Sequence, residues 1–214
     1  MTSNLYLKQM KLGPLDNFIY FIGDKKTKQT AVVDPAWDVD YLCKTAEREG
    51  YEITDVYLTH GHPDHVNGLE EMLSYHDVPA YISAHEAFFY KPKHPNLVEV
   101  ENHDKLIIGN IEIECILTPG HTPGCQCFKH GDVLISGDTI FVDGCGRCDL
   151  PGGDAKVMYK TLYEIIKKLP DSTIIYPGHD YGPTPFATIG SQKKTNPYLT
   201  CRSLEEFLSE RMGI

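Results

Sequence analysis

The chain is 214 residues long, with a formal net charge of −10 and seven cysteines. That length buries a sizeable core and fits a single domain over residues 1–214, while the acidic balance argues against nucleic acid as a partner, because phosphate neutralisation needs a Lys/Arg surplus. No stretch approaches the roughly 20 apolar residues of a membrane span, Met1–Met10 has no apolar leader run, and an odd cysteine count without scaffold density reads as the reduced thiols of a cytoplasmic protein.

Phe18–Ile22 and Thr30–Val33 are apolar runs separated by Gly23-Asp24-Lys25-Lys26, and they are predicted to pair as a hairpin that Asp34-Pro35 closes. Val39, Leu42, Cys43 and Ala46 follow at helical spacing, with Asp38 as N-cap and Gly50 as stop. Asp55–Leu58 reads as a strand. It leads into Thr59-His60-Gly61-His62-Pro63-Asp64-His65, which places three histidines and an aspartate within six positions. In extended backbone His60 and His62 converge on one ion. The adjacent Asp64 and His65 point in different directions and suit a second. Imidazole with carboxylate favours zinc, iron or manganese over calcium or magnesium.

Leu69, Met72 and Leu73 predict a helix to about Tyr75, Val78–Ile82 a strand, and Ser83–Tyr90 another helix. Lys91-Pro92-Lys93-His94-Pro95 is a loop. His76, His85, His94 and His103 sit in polar surroundings without ligand spacing and are read as surface or structural residues. Leu106–Ile108 and Ile111–Ile116 flank Gly109-Asn110 and predict a hairpin. The second strand runs into Thr118-Pro119-Gly120-His121. Val133–Ser136 ends in Gly137-Asp138, and Thr173–Tyr176 ends in Pro177-Gly178-His179. Each apolar run thus closes on a small-residue turn followed by His or Asp. Cys125 and Cys127 belong to an alternating, strand-like stretch and read as core. Met158, Leu162, Ile165, Ile166 and Leu169 mark a helix face between the N-cap Asp154 and Pro170. Ser203-Leu204-Glu205-Glu206 is a capping box opening a last helix with the stripe Leu204, Phe207, Leu208 and Met212. That stripe suits docking on the fold or on a second subunit, so monomer and homodimer both stay open.

His60-x-His62-x-Asp64-His65 with His121, Asp138 and His179 resembles the metallo-β-lactamase superfamily over nearly the whole chain. The resemblance implies an α+β fold, an αβ/βα four-layer sandwich of two mixed β-sheets flanked by helices, with metals at one edge. It implies two divalent ions, zinc first, with iron or manganese also suited. His60, His62 and His121 would hold one, Asp64, His65 and His179 the other, and Asp138 would bridge them. β-Lactamases of the family usually carry cysteine or histidine where Asp138 stands, which sets antibiotic hydrolysis aside.

Gly144-Cys145-Gly146-Arg147 is similar to a loop shared by glyoxalase II (hydroxyacylglutathione hydrolase) and the persulfide dioxygenases. The likeness implies that Cys145 belongs to a substrate-binding loop and that Arg147 helps hold glutathione. Gly178-His179-Asp180-Tyr181 is similar to a glyoxalase II segment whose tyrosine touches glutathione, which assigns Tyr181 to the substrate. The expected activity is hydrolysis of a thioester, of glutathione or of an acyl carrier, by a metal-activated hydroxide with Asp64 as both ligand and catalytic partner. Two departures point the other way: the long helical tail of glyoxalase II is missing after His179, and Cys148–Gly153 resembles the dioxygenase loop. A dioxygenase would use a single iron on His60, His121 and Asp138. A third class of family members, phosphodiesterases and nucleases, is disfavoured by the acidic charge. Cys145-Gly146-Arg147-Cys148 has C-x-x-C spacing, with chance favoured over a redox pair.

Overall fold

The computed structural model describes residues 4–91 and 93–213; Met1–Ser3 of the segment read for a leader and Pro92 of the predicted Lys91–Pro95 loop lie outside them. The first half supplies β1 (Leu5–Leu12), β2 (Asn17–Asp24), β3 (Gln29–Val33), α1 (Val39–Glu49), β4 (Glu52–Tyr57), α2 (Pro63–Val66), α3 (Leu69–Tyr75), β5 (Ala80–Ser83), α4 (Ala84–Tyr90) and β6 (Leu97–Val100). The six strands form one mixed sheet in sequence order, with β1, β2 and β3 antiparallel and β3 to β6 parallel. The second half supplies β7 (Lys105–Ile108), β8 (Ile111–Leu117), β9 (Gln126–His130), β10 (Val133–Gly137), β11 (Ile140–Phe141), β12 (Gly144–Cys145), α5 (Ala155–Lys160), β13 (Ile174–Pro177), β14 (Ala187–Thr188), α6 (Ile189–Thr195), α7 (Pro197–Thr200) and α8 (Leu204–Met212). Its main sheet runs β14-β13-β10-β9-β8-β7, with β10 and β13 parallel, and β11 and β12 pair apart from it.

Strand periodicity sorts the side chains into layers. In β2, Phe18, Tyr20 and Ile22 join a buried cluster with Ile113, Phe128 and Ile135 of the second sheet, so they lie between the sheets. Ile19 and Phe21 face the other way, into a cluster with Leu42 and Ala46 of α1 and Met72 of α3. On the far side, Leu134 and Ile175 pack against Met158, Leu162 and Phe207. The result is helix, sheet, sheet, helix, an α+β four-layer sandwich of the metallo-β-lactamase type.

The predicted caps are in place. Asp38 accepts from the Tyr41 amide, and Gly50 closes α1 in the left-handed conformation at φ 72°. Asp154 accepts from the Lys156 and Val157 amides, and Ser203 from Glu206. Phe207 of α8 is fully buried against Tyr159, which docks that helix on this chain's own sandwich.

Five strands, β1, β6, β11, β12 and β14, were not predicted. β1 pairs with β2 along its whole length, but its Lys8 and Gln9 are half-buried at an edge and break the alternation. β6 and β14 are short edge strands with exposed positions. The helix after Asp154 also differs from a regular one. A π-type turn at Thr161–Ile165 inserts into it, so Ile166 stays fully buried while Ile165 and Leu169 rotate partly outward.

Candidate metal centre

The topology brings the ligands to one edge. β8 is antiparallel to β9 and β9 to β10, so β8 runs parallel to β10 and β13. The carboxyl ends of these three strands carry His121, Asp138 and His179. The parallel pair β3 and β4 ends in Asp34 and His60. Asn17 at the start of β2 bridges to His179, and the Phe18 amide donates to Gly178 O at 2.8 Å, which ties the two sheets together at this edge.

All seven predicted ligands meet there. His62 Nδ1 lies 3.0 Å from His60 Nε2 and 2.8 Å from His121 Nε2. His65 Nε2 lies 3.1 Å from His179 Nε2, with Asp64 Oδ2 at 3.6 and 3.5 Å from the two. These are two of the three-ligand sets that could hold an ion. Asp138 stands between them, with Oδ2 3.4 Å from both His121 and His179 and Oδ1 3.4 Å from His65. Asp138 Oδ1 is buried without a hydrogen-bond partner. An orphaned carboxylate oxygen facing converging imidazole nitrogens is the donor arrangement a cation satisfies.

The opposite ring edges show which nitrogens are free to ligate. His121 Nδ1 donates to Arg147 O at 2.7 Å, His179 Nδ1 to Leu15 O at 2.9 Å and His65 Nδ1 to Asp34 Oδ2 at 2.9 Å. His60 Nδ1 donates to Thr59 Oγ1, whose own hydroxyl donates to Asp34 Oδ2 at 2.6 Å. Each partner fixes a tautomer with a bare Nε2 toward the centre. Asp34 also sits with His60 and His65 in a third possible set. Its oxygens are occupied by Thr59 and His65, so it serves as their support.

Burial pushes His62 down to about 4 and His60 and His121 below the usual imidazole range, which keeps the first set neutral and ready to ligate. Burial pulls His65 down too, but Asp138 and Asp34 outweigh it and lift it to about 9. Burial raises Asp138, yet His65, His179 and their neighbours overcome this and hold the carboxylate well below its ordinary range.

Several supporting residues carried no recognised signal. Asp34 ends an apolar run as the candidate ligands do, but followed by Pro35 it reads as a turn. Glu86, fully buried on α4, accepts from Gly61 N at 2.7 Å, Thr122 Oγ1 at 2.8 Å and Gly124 N at 2.9 Å, locking the first ligand loop to the His121 loop. Asn17 Nδ2 donates to Asp64 Oδ2 at 3.1 Å, and Asn17 Oδ1 accepts from Trp37 Nε1 at 2.9 Å. Gly146 lets its loop cross the site, since a Cβ there would lie 2.0 Å from Asp138 O.

The cleft over the ligands holds about 270 Å³ and is completed by Leu15, Phe141, Arg147, Leu150 and Tyr181. A larger hollow of about 470 Å³ near Asn102 and Pro170 has none of the ligands on its walls. Tyr181 stacks on His179 with ring centroids 4.6 Å apart. Arg147 reaches the rim, where it pairs bidentately with Asp149 at 2.9 and 2.7 Å. Cys145 corrects the sequence reading. Its side chain is 5 % exposed and packs in the apolar cluster with Cys148 and Met158, because β12 turns it away from the cleft. Burial raises the Cys145 thiol and pushes Cys148 up to about 11, which suits core packing rather than redox exchange. His76, His85, His94 and His103 contribute nothing to the cluster; His103 pairs with Glu114 at 2.8 Å.

A His/Asp cluster at the edge of an αβ/βα sandwich defines a metal-dependent enzyme. The chain belongs to the metallo-β-lactamase superfamily, whose profile matches residues 12–179. It is 32 % identical over 195 residues to the "Probable polyketide biosynthesis zinc-dependent hydrolase PksB" of Bacillus subtilis, covering 91 % of this chain and 87 % of that one. It is 31 % identical over 217 residues to the human "Persulfide dioxygenase ETHE1, mitochondrial", covering 95 % and 79 %. The crystal structure of ETHE1 from Myxococcus xanthus superimposes with a TM-score of 0.88 at 28 % identity, covering 98 % and 92 %. Among the described residues, no helix is long and apolar enough to cross a membrane.

Proposed function

We propose that the protein is a two-metal thioester hydrolase acting on a small-molecule acyl thioester of glutathione or of an acyl carrier. The observation that carries this reading is Asp138, one carboxylate reaching both ligand sets with Oδ1 left unpaired between them. Bound divalent cations, zinc by preference with iron or manganese also suited, supply a water acidified toward neutral pH and a Lewis acid for the carbonyl.

The chain's own residues do the rest. Asp64 is 21 % open on its side chain, and Asn17 holds its Oδ2 in place. Its carboxylate accepts the proton of the attacking water as the water oxygen bonds to the acyl carbon. The C–S bond then breaks, and the sulfur leaves with a proton as a free thiol. Arg147 and Tyr181 line the cleft where they orient the carrier portion. Similarity to a zinc-dependent hydrolase over most of both chains supports hydrolysis.

A second reading is favoured by the similarity to ETHE1: a mononuclear-iron glutathione persulfide dioxygenase with His60, His121 and Asp138 as ligands. Iron-loaded protein given glutathione persulfide separates the two. Rapid oxygen uptake with sulfite formation establishes the dioxygenase; no uptake, with free thiol released from a thioester panel, establishes the hydrolase. In the hydrolase, Asp138→Ala abolishes turnover and lowers metal content at both positions, read by elemental analysis. Turnover at the parent rate would refute the bridge.

A further inference from the structure

The metal cleft continues into a second hollow, and we propose that this hollow receives an apolar acyl group, so that medium-length aliphatic or aromatic acyl chains are preferred over acetyl. The inference rests on the thioester reading of the same site. The hollow holds about 380 Å³ between His62, Pro63, Asp64, Tyr90, Leu150 and Pro151. His62, Asp64 and Leu150 also line the metal cleft, so the two form one continuous surface that passes over two metal ligands. Beyond those ligands, every wall is apolar or aromatic.

The walls are built against each other. Tyr90, at the end of α4, meets the His62 ring edge-on with centroids 6.0 Å apart. It lies directly on Gly61, where a Cβ would come within 2.6 Å of Tyr90 Cδ2. Phe89 stands perpendicular to Tyr90 at 4.9 Å and packs on Gly152, whose Cβ would lie 2.6 Å from Phe89 Cζ. Bare glycine backbone therefore lets two aromatic rings clamp α4 between the first ligand loop and the loop carrying Leu150 and Pro151.

A thioester has two arms on one carbonyl. With the carbonyl over His62, Asp64 and Asp138, one arm meets Arg147 and Tyr181 and the other meets Tyr90, Leu150 and Pro151. Among the described residues, Arg147 is the one Lys or Arg lining either hollow. The polar carrier thus belongs on the arginine side and the apolar chain on the aromatic side.

The test uses metal-loaded protein and acetyl, butanoyl, octanoyl and benzoyl thioesters of one carrier, N-acetylcysteamine. Each methylene taken from water favours binding by about fourfold when fully buried. In an open groove, kcat/KM for octanoyl is expected to exceed acetyl by about tenfold or more. Tyr90→Ala and Leu150→Glu should each collapse the octanoyl-to-acetyl ratio toward one, a change that general loss of structure does not produce, since it lowers both substrates alike. A flat series, or a preference that survives both variants, overturns the inference and leaves thioester hydrolysis standing. No hydrolysis of any member overturns the thioester reading, and the inference with it.

Discussion

Asp34 accepts from three donors at the end of β3: the Thr59 amide at 2.7 Å, the Thr59 hydroxyl at 2.6 Å and His65 Nδ1 at 2.9 Å. It thereby orients His60 through Thr59 and His65 directly, one ligand from each set. Outer supports of this kind govern metal affinity by 10- to 100-fold. Asp34→Ala is expected to weaken metal binding by about that factor, measured by competition with a chromophoric chelator. Unchanged affinity would show that the rings are held by packing alone.

The imidazoles also set a pH dependence for the metal-free protein. Burial lowers His62 from 6.5 to about 4. Between those values the unfolded chain binds a proton that the folded chain refuses, so stability falls as pH drops through this window. His60 and His121 act in the same direction. His65 does the reverse. Burial opposes its charge but Asp138 and Asp34 prevail, raising it from 6.5 to about 9, so its contribution is full below 6.5 and is lost as pH rises through 9. Urea midpoints of chelator-treated protein should therefore be highest near neutrality and fall toward pH 5, and His62→Asn should flatten the acid side. A midpoint constant from pH 7 to 5 would contradict the neutral first set.

At the scale of elements, the turn between β11 and α5 decides whether the cleft exists. A methyl group added at Gly146 would lie 2.0 Å from Asp138 O and 3.0 Å from His121 Cγ, so it has no room. Gly146→Ala must move either the Asp138 backbone or the loop whose Arg147 carbonyl holds His121. Turnover should fall at least about tenfold while far-ultraviolet circular dichroism stays unchanged. Parent activity would mean that the loop yields without disturbing the ligands. α4 has a matching role from the other side. Its N-terminal Ser83 donates to Gly124 O, and its Glu86 holds both ligand loops, so a short surface helix fixes the spacing of His62 and His121.

At the scale of the molecule, the cluster joins loops from both sheets, so an ion there crosslinks the two halves of the sandwich. A ligand at 1,000 times its Kd adds about 4 kcal/mol. For a chain of this length that corresponds to a Tm change of roughly 8–16 °C. Chelator treatment is expected to lower Tm by about that amount and zinc to restore it. A Tm indifferent to chelator would place the metals outside the fold's stability. Two carboxylates, Asp64 and Asp138, face the same small volume there, each beside His65 and His179.

The sequence by itself determined the elements whose signals are local. Asp38 and Gly50 bracket α1 because a side-chain acceptor and a left-handed glycine satisfy helix ends wherever they occur. The seven candidate ligands were legible because the four segments that carry them each follow an apolar run, a pattern read within one segment at a time. What the tertiary structure alone decided depends on contacts distant in sequence. β1 and β6 form at sheet edges on the hydrogen bonds of their neighbours, not on alternation of their own. Asp34 has the same local signature as Asp138, and only tertiary contacts turn one to Thr59 and His65 and leave the other between the two candidate ligand sets. Cys145 shares its loop with Arg147, yet the pairing of β12 with β11 buries the thiol and leaves the guanidinium at the rim. Which side chain faces a cleft is a property of how strands pair, and no single stretch of chain contains it.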